Sequence, residues 1–565
     1  MDARTVFSTA AILSLATAAV SFAGTPIDID LSAAGTPFSE GVRGQATPAI
    51  NQFRPGAELG NDMAFDLAEG SSIRGVAGGS EAEDYDWETR NGDARDTTLD
   101  YLRDARDYNA NLIITTNMIG LTAPAPTASN PGGRVYTDES VATVSQLAAD
   151  WVRYTNIIAQ TYHQGDTITD PDDLRVMNSL LWTGTVPGDV HDLLPAPGEA
   201  PLPKVEYWEI GNEPRVPLTS SYDISNSPTF LTPNHTKNST HLYDYSTRYA
   251  SMTAAMLAVD PTIKVGPCIQ SATASTEKEL LNSILDKQSN GQYLPIDFIS
   301  YHPYQKLDTT QPVADIESYL QNVYTGQKAY VDNLHSMIAA SGRDPNAVEL
   351  IASETNVSNY TVNGTVQEGQ MAHALGSVET VFSFARLGLS AANYWLWPSD
   401  QFDGTQFPVY KAYLGLRDHM GDTLLNVYSQ DNTRLYTTRD SKTGEIAIWG
   451  LNFSNDTPAQ LSLLLTGLNL GAGYSAHLMT LESTTGPTTL FSSNLASYMP
   501  GGPSDNVDWV TQTLSNFNLA DYSLTLPAAT ISVLVLDPTA ISVPEPASLS
   551  LAAIVACVAF RRRRA

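Results

Sequence analysis

From about residue 70 to 420 the chain alternates short β-rich apolar runs with amphipathic helical stretches, and that alternation leaves few architectures open. The runs are Ser72 to Gly78, Asn111 to Thr116, Val205 to Ile210, Ile263 to Cys268, Ile296 to Tyr301, Val348 to Ser353 and Ala391 to Trp397. Between them lie helical patterns with one apolar face. Val144, Leu147, Ala148, Trp151, Tyr154 and Ile158 share such a face, as do Leu242, Tyr245, Tyr249, Met252 and Met256. Further helical patterns cover 96–108, 327–340, 370–387 and 410–420. These are βα units, and an eighth strand is expected ahead of them, between Phe38 and Asp66. The predicted fold class is therefore α/β, a (β/α)8 TIM barrel. The reactive end of such a barrel is the C-terminal end of its strands. Two long polar insertions, Thr122–Glu139 and Arg215–Thr240, follow strand ends and are expected above that face.

After about Leu424 the period changes. Short alternating runs at 434–439, 445–452, 459–466, 474–480, 522–526 and 530–536, separated by turn residues such as Lys442-Thr443-Gly444, predict an antiparallel β-sandwich. The expected division is a catalytic barrel over 24–424 and a sandwich over 425–538, with the alternating Ile27–Leu31 adding a strand to the sandwich.

Both ends read as addresses. Residues 1–23 carry Arg4, an apolar run from Val6 to Ala19, and the small residues Ser21 and Ala23, the pattern of a secretory signal peptide cut by signal peptidase. At the other end, Val543-Pro544-Glu545-Pro546 precedes an apolar stretch, Ala547 to Phe560, and then Arg561 to Arg564. Residues 543–565 resemble a PEP-CTERM sorting signal. That resemblance implies a transient membrane contact, exosortase-type processing, and export across the inner membrane of a Gram-negative type bacterium to the cell surface or medium. The apolar run falls short of the roughly 20 residues of a comfortable span; a permanent tail anchor is the alternative. Acidic residues outnumber basic ones 61 to 31, a net charge of −30, which excludes a nucleic-acid partner and suits a neutral substrate. The two cysteines, Cys268 and Cys557, make no disulfide framework, no Cys/His cluster has metal-ligand spacing, and Cys268 reads as a small buried residue.

Chemistry concentrates at two strand ends. Trp208-Glu209-Ile210-Gly211-Asn212-Glu213-Pro214 closes the fourth strand and opens a long loop, and Val348–Glu354 ends the seventh in a carboxylate. Strands four and seven lie nearly opposite in an eight-stranded barrel, so the two carboxylates can flank a bound sugar, the arrangement that glycoside hydrolysis requires. On these residues the chain resembles the glycoside hydrolase superfamily whose acid/base follows an Asn on strand four and whose nucleophile ends strand seven. Within it the chain looks most like family 39 and the related arabinofuranosidase and glucuronidase families.

The resemblance implies a retaining enzyme with Glu213 as acid/base and Glu354 as nucleophile, acting on a plant or algal type poly- or oligosaccharide without a cofactor. It further implies that Asn212 binds the hydroxyl beside the anomeric carbon and that Arg74 lies beneath the nucleophile. Tyr304 would donate to that nucleophile. His302, Asn117 and Trp397 would contact sugar. Glu206 and Glu209 show that strand four carries other acids. The segment Ser353-Glu354-Thr355-Asn356 lacks the aromatic that many relatives place soon after the Glu, which leaves the sugar open. A non-catalytic glycan-binding envelope protein on the same fold, and a transglycosylase, remain as alternatives.

Overall fold

The computed structural model describes residues 26–47, 58–75, 98–118, 121–122, 135–136, 140–182, 193–214, 230–232, 242–270, 275–357, 361–362, 365–366, 369–395, 405–467, 474–493, 506–514, 517 and 522–538. Both address segments lie outside these residues, as do Trp397 and most of the two polar insertions. Eight parallel strands close into a barrel in chain order: β3 (Gly44–Ala46), β4 (Ser72–Gly75), β5 (Asn111–Thr116), β6 (Tyr207–Ile210), β7 (Lys264–Ile269), β8 (Phe298–Tyr301), β9 (Glu349–Thr355) and β10 (Ala391–Tyr394), which pairs back onto β3. The first barrel strand falls inside the interval expected for it. Its three residues, Gly-Gln-Ala, carry no apolar signature, and the helix Glu58–Leu67 fills most of the remainder. The helices Pro171–Trp182 and Ser275–Leu285 were not anticipated from the periodicity. Among the described residues no helix is long and apolar enough to cross a membrane.

Strand alternation sorts the barrel's side chains. Outward-facing Trp208 packs edge-on against Trp151 of helix α1 (Val141–Arg153), ring centroids 5.8 Å apart. Beyond α1 the chain makes a π-helical turn, Tyr154–Ile158. The Asn156 amide of that turn bonds both the N–H and the C=O of Val205, each at 2.9 Å, which fixes the entry to β6. Inward-facing residues form layers. Tyr207, Lys264 and Glu349 bond one another at the bottom. Above them sits an apolar plug of Ile113, Phe298, Ile351 and Ala391. Gly266 makes room for it, since a Cβ there would lie 2.3 Å from the Phe298 carbonyl oxygen. On the plug rests a buried polar layer containing Arg74, Thr115, Glu209, Ser300, Ser353 and Asn393.

The second domain is a sandwich built from both ends of the chain. One sheet has seven strands, in the order β2 (Thr36–Pro37), β11 (Thr423–Gln430), β12 (Thr433–Arg439), β13 (Ile446–Asn452), β18 (Thr530–Pro538), β15 (Tyr474–Ser483) and β16 (Val507–Thr513). The other has three, β1 (Ile27–Asp30), β14 (Ala459–Thr466) and β17 (Tyr522–Leu526). The strand expected at Ile27–Leu31 is β1, paired in parallel with β14. The middle strands of the larger sheet, β12, β13 and β18, are buried on both faces. Leu435, Ile448 and Leu534 meet the smaller sheet, while Tyr436, Trp449 and Val533 join the core that includes the barrel helices. Phe382, on helix α2 (Met371–Leu387), stacks on Tyr436 with centroids 4.2 Å apart, and Glu379 of the same helix accepts from the Tyr436 hydroxyl at 2.7 Å.

Candidate active site

The polar layer opens at the C-terminal end of the barrel, and two backbone departures aim its carboxylates. After Ile210 the chain turns through Gly211, at φ +75°, and Glu213, at φ +41°. Glycine suits 211 because its φ is left-handed, and a Cβ there would lie 2.2 Å from the Met118 sulfur and force that side chain to move. A non-glycine residue held in the left-handed region costs on the order of 1–3 kcal/mol and is tolerated where the surroundings enforce it. The second departure is in β9. Its pairing with β10 slips between Ala352 and Thr355, so one extra residue enters the strand. Strict alternation would send Ser353 inward and Glu354 outward; the bulge lets both reach the barrel axis.

Arg74 organises what meets there. Its side chain is fully buried, and its guanidinium donates from Nε to Glu209 Oε2 at 2.6 Å, from Nη1 to Glu354 Oε1 at 2.6 Å and from Nη2 to Asn212 Oδ1 at 2.8 Å. Burial alone would lower its pKa, but Glu209, Cys268 and Glu354 raise it above the usual arginine range. Glu209, equally buried, also accepts from Thr115 Oγ1 at 2.6 Å. Burial pushes its carboxyl up; Arg74, Thr115, Ser300 and Ser353 together bring it below the ordinary value.

Glu354 is held on both oxygens, by Arg74 on Oε1 and by the Tyr304 hydroxyl on Oε2 at 2.7 Å. Glu213 faces it, half-buried, with Oε1 in contact with His302 Nδ1. An oxygen from each glutamate and a nitrogen of His302 all lie within 4.8 Å of one another. A guanidinium 2.6 Å from Glu354 opposes a cation in this cluster, whose members are joined by hydrogen bonds.

His302 was expected to contact sugar, and its ring is packed among other side chains of the site. Its side chain is 0% exposed and stands behind Glu213, with Nε2 directed at Ser353 Oγ (3.2 Å) and Cys268 Sγ (3.4 Å). Asn212 is buried with its oxygen on Arg74, and Asn117 is half-buried just past the end of β5. Trp397 lies outside the described residues. Sequence reasoning missed the parts played by Glu209, Ser353 and Cys268. For Glu209 a signal existed, since alternation along Tyr207–Ile210 puts 207 and 209 on one face. Cys268, read as a small buried residue, is buried and is also in contact with Arg74 Nη2 (3.5 Å), Asn212 Oδ1 (3.6 Å) and His302.

Fold and site together define a barrel with opposed carboxylates at its C-terminal rim and a β-sandwich packed against its helices. No protein-family model matches the chain, and no curated protein matches it in sequence. Solved structures do share its architecture. The α-L-arabinofuranosidase from Thermotoga maritima, in complex with arabinose, superposes with a TM-score of 0.60 at 16% identity, covering 90% of this chain and 99% of that one. A family 51 α-L-arabinofuranosidase from Bifidobacterium longum gives 0.59 at 14% identity, covering 91% and 100%. A xyloglucanase of glycoside hydrolase family 44 from Paenibacillus polymyxa gives 0.56 at 13%, covering 90% and 99%. At these identities the likeness is one of fold, a (β/α)8 barrel followed by a β-sandwich. The families named are 51, of arabinofuranosidases, and 44; the sequence pointed to family 39 and the related arabinofuranosidase and glucuronidase families, and family 39 is not among those named.

Proposed function

We propose that this protein is a retaining glycoside hydrolase that cleaves O-glycosidic bonds in a plant or algal type poly- or oligosaccharide. The observation that carries the proposal is the convergence of Glu213 and Glu354, with oxygens within 4.8 Å, at the rim of one barrel. Retaining enzymes hold their carboxyl groups about 5–5.5 Å apart, whereas inverting enzymes need about 6.5–9.5 Å to admit a water. Glu354, its oxygens fixed by Arg74 and Tyr304, attacks the anomeric carbon. Glu213 protonates the departing oxygen. A covalent glycosyl-enzyme forms, and Glu213 then takes a proton from the water that hydrolyses it. Asn212 serves the hydroxyl beside the anomeric carbon. The solved structures of similar fold suggest the sugars to try first, arabinofuranosides and xyloglucan.

Stereochemistry tests the assignment. Glu354→Ala with azide should yield a glycosyl azide of inverted configuration, because azide enters from the vacated side. Glu213→Ala should still form the intermediate from substrates with good leaving groups, and azide should release it with net retention. Swapped outcomes would reverse the roles, and full activity in both variants would place the chemistry elsewhere. The reading includes export, with residues 1–23 removed and residues 543–565 acting as a transient sorting signal. Mass spectrometry of the native protein should find no peptide containing Arg561–Arg564.

A further inference from the structure

We propose that Ser353 and Cys268 are positioning residues that hold His302 as an Nε2–H donor, so that one proton is confined between His302 Nδ1 and Glu213 Oε1 and passes from there to the leaving group. The inference rests on the glycosidase reading and deepens it.

The argument starts from which groups have protons to give. Glu209 is an ionised carboxylate and can only accept. The Ser353 hydroxyl lies 3.9 Å from Cys268 Sγ, whose sulfur can accept its single proton. Ser353 Oγ then presents a lone pair to His302 Nε2 at 3.2 Å. Cys268 is in the same position. Its S–H has an acceptor in Asn212 Oδ1 at 3.6 Å, and its sulfur lone pairs face His302 Nε2 at 3.4 Å and Arg74 Nη2 at 3.5 Å. With two acceptors against it, Nε2 carries hydrogen.

The other nitrogen follows. Nδ1 touches Glu213 Oε1, so the pair holds one proton, written either as imidazolium with carboxylate or as neutral imidazole with carboxylic acid. The groups that face this ring are Glu213 beyond β6, Cys268 on β7, Tyr304 beyond β8, and Ser353 and Glu354 on β9. Arg74 and Glu209 stand one contact further away. Burial works against charge on His302, yet Glu354, Cys268 and Glu213 raise its pKa well above the usual range. In the first chemical step the C1–O bond breaks, the shared proton goes to the leaving oxygen, and C1 bonds to Glu354. That leaves neutral His302 beside a Glu213 carboxylate, ready to take a proton from water in the second step.

Leaving groups report on the proton. An acidic phenol departs without help; a weakly acidic phenol or a sugar needs protonation. General acid assistance is worth roughly 10²–10⁴-fold. Aryl glycosides of graded leaving-group acidity would be compared in wild type, Cys268→Ala/Ser353→Ala and Cys268→Ser, with thermal unfolding measured on each. The double variant should lose about 10- to 100-fold in kcat/KM on the poorest leaving groups and only a few-fold on dinitrophenyl glycosides. Cys268→Ser, which retains a donor and an acceptor, should stay close to wild type across the series. An equal loss on every leaving group, or no loss at all, would overturn the proposal. A wild type inactive on the whole series would instead overturn the glycosidase reading, and the two failures cannot be confused.

Discussion

Glu379 lies at the junction of barrel and sandwich, fully buried on α2. Burial pushes its carboxyl up to about 7 from an ordinary 4.5, against the pull of Arg434 and of the Tyr436 hydroxyl. Its Oε2 accepts from Tyr436, while Oε1 has no hydrogen-bond partner among the described residues, and the nearest Arg434 nitrogen is 3.7 Å from it. A carboxyl whose pKa is higher in the folded than in the unfolded state stabilises the fold fully below the unfolded value and loses that contribution as pH rises through the folded one. Each tenfold change in proton affinity is worth about 1.4 kcal/mol. The window from 4.5 to about 7 therefore corresponds to a loss of about 3 kcal/mol between pH 4 and pH 8. Glu379→Gln keeps the shape and the acceptor for Tyr436 but cannot ionise. The variant should match the wild type near pH 4 and exceed it by up to about 3 kcal/mol at pH 8. Urea unfolding of both proteins at intervals across this range reads the difference directly and cancels every other titration. A gap that does not change with pH, or a variant that weakens as pH rises, would refute the reasoning.

Other predictions use the same logic on different residues. Buried His373, bonded to Tyr394 Oη at 2.8 Å, has its pKa lowered to about 3 by burial, so its stabilising contribution is lost as pH falls below 6.5. His373→Gln should remove a loss of about 3 kcal/mol that the wild type suffers between pH 6.5 and pH 4, measured by the same unfolding series. Gly211→Ala, which combines a positive φ with a 2.2 Å approach to Met118, should displace Glu213. We expect it to lower kcat/KM by about 100-fold or more, with wild-type kinetics as the contrary result. Glu209→Gln should slow formation of the glycosyl-enzyme more than its hydrolysis; rapid-mixing kinetics with a dinitrophenyl glycoside would show the burst diminished, and a larger burst would contradict the argument.

The barrel was legible because burial on one helix face and on a strand enforces a period that survives in any sequence of this type. Where a strand is too short to show a period the signal vanishes, as at Gly44–Ala46, and that strand could only be assigned to an interval. The strand Thr423–Gln430 was not recognised: its inner residues are half-buried and its tip exposed, so little burial alternation was available. At the site, Glu213 and Glu354 were singled out by residue type at strand ends and the roles proposed for Arg74 and Tyr304 by the family resemblance, and the structure brings those four into one cluster. The bulge that turns Glu354 inward had no sequence signature, because an inserted residue in β9 looks like any other residue of Glu349–Thr355. Cys268 and Ser353 were illegible for another reason. A small residue in a strand is as much at home in an apolar core as beneath an active site, and only the neighbours contributed by other strands decide between the two.

Under the proposed cycle, Glu209 lets the site hold a buried arginine while one of its partners is consumed. A guanidinium removed from water must be matched by charge, since an unpaired buried ion costs several kcal/mol. In the resting site Arg74 has two carboxylates, Glu209 and Glu354, each at 2.6 Å. In the proposed cycle Glu354 becomes an ester and loses its charge. With Glu354 as its only partner, Arg74 would then be stranded, and the ion pair would resist attack by the amount that the stranding costs. In that cycle Glu209 remains ionised on the same guanidinium throughout, its Oε2 also accepting from the Thr115 hydroxyl. The arginine can thus orient the nucleophile strongly while surrendering little when the covalent bond forms. This is the selective stabilisation that catalysis needs, because an interaction that binds the resting carboxylate more tightly than the transition state raises the barrier.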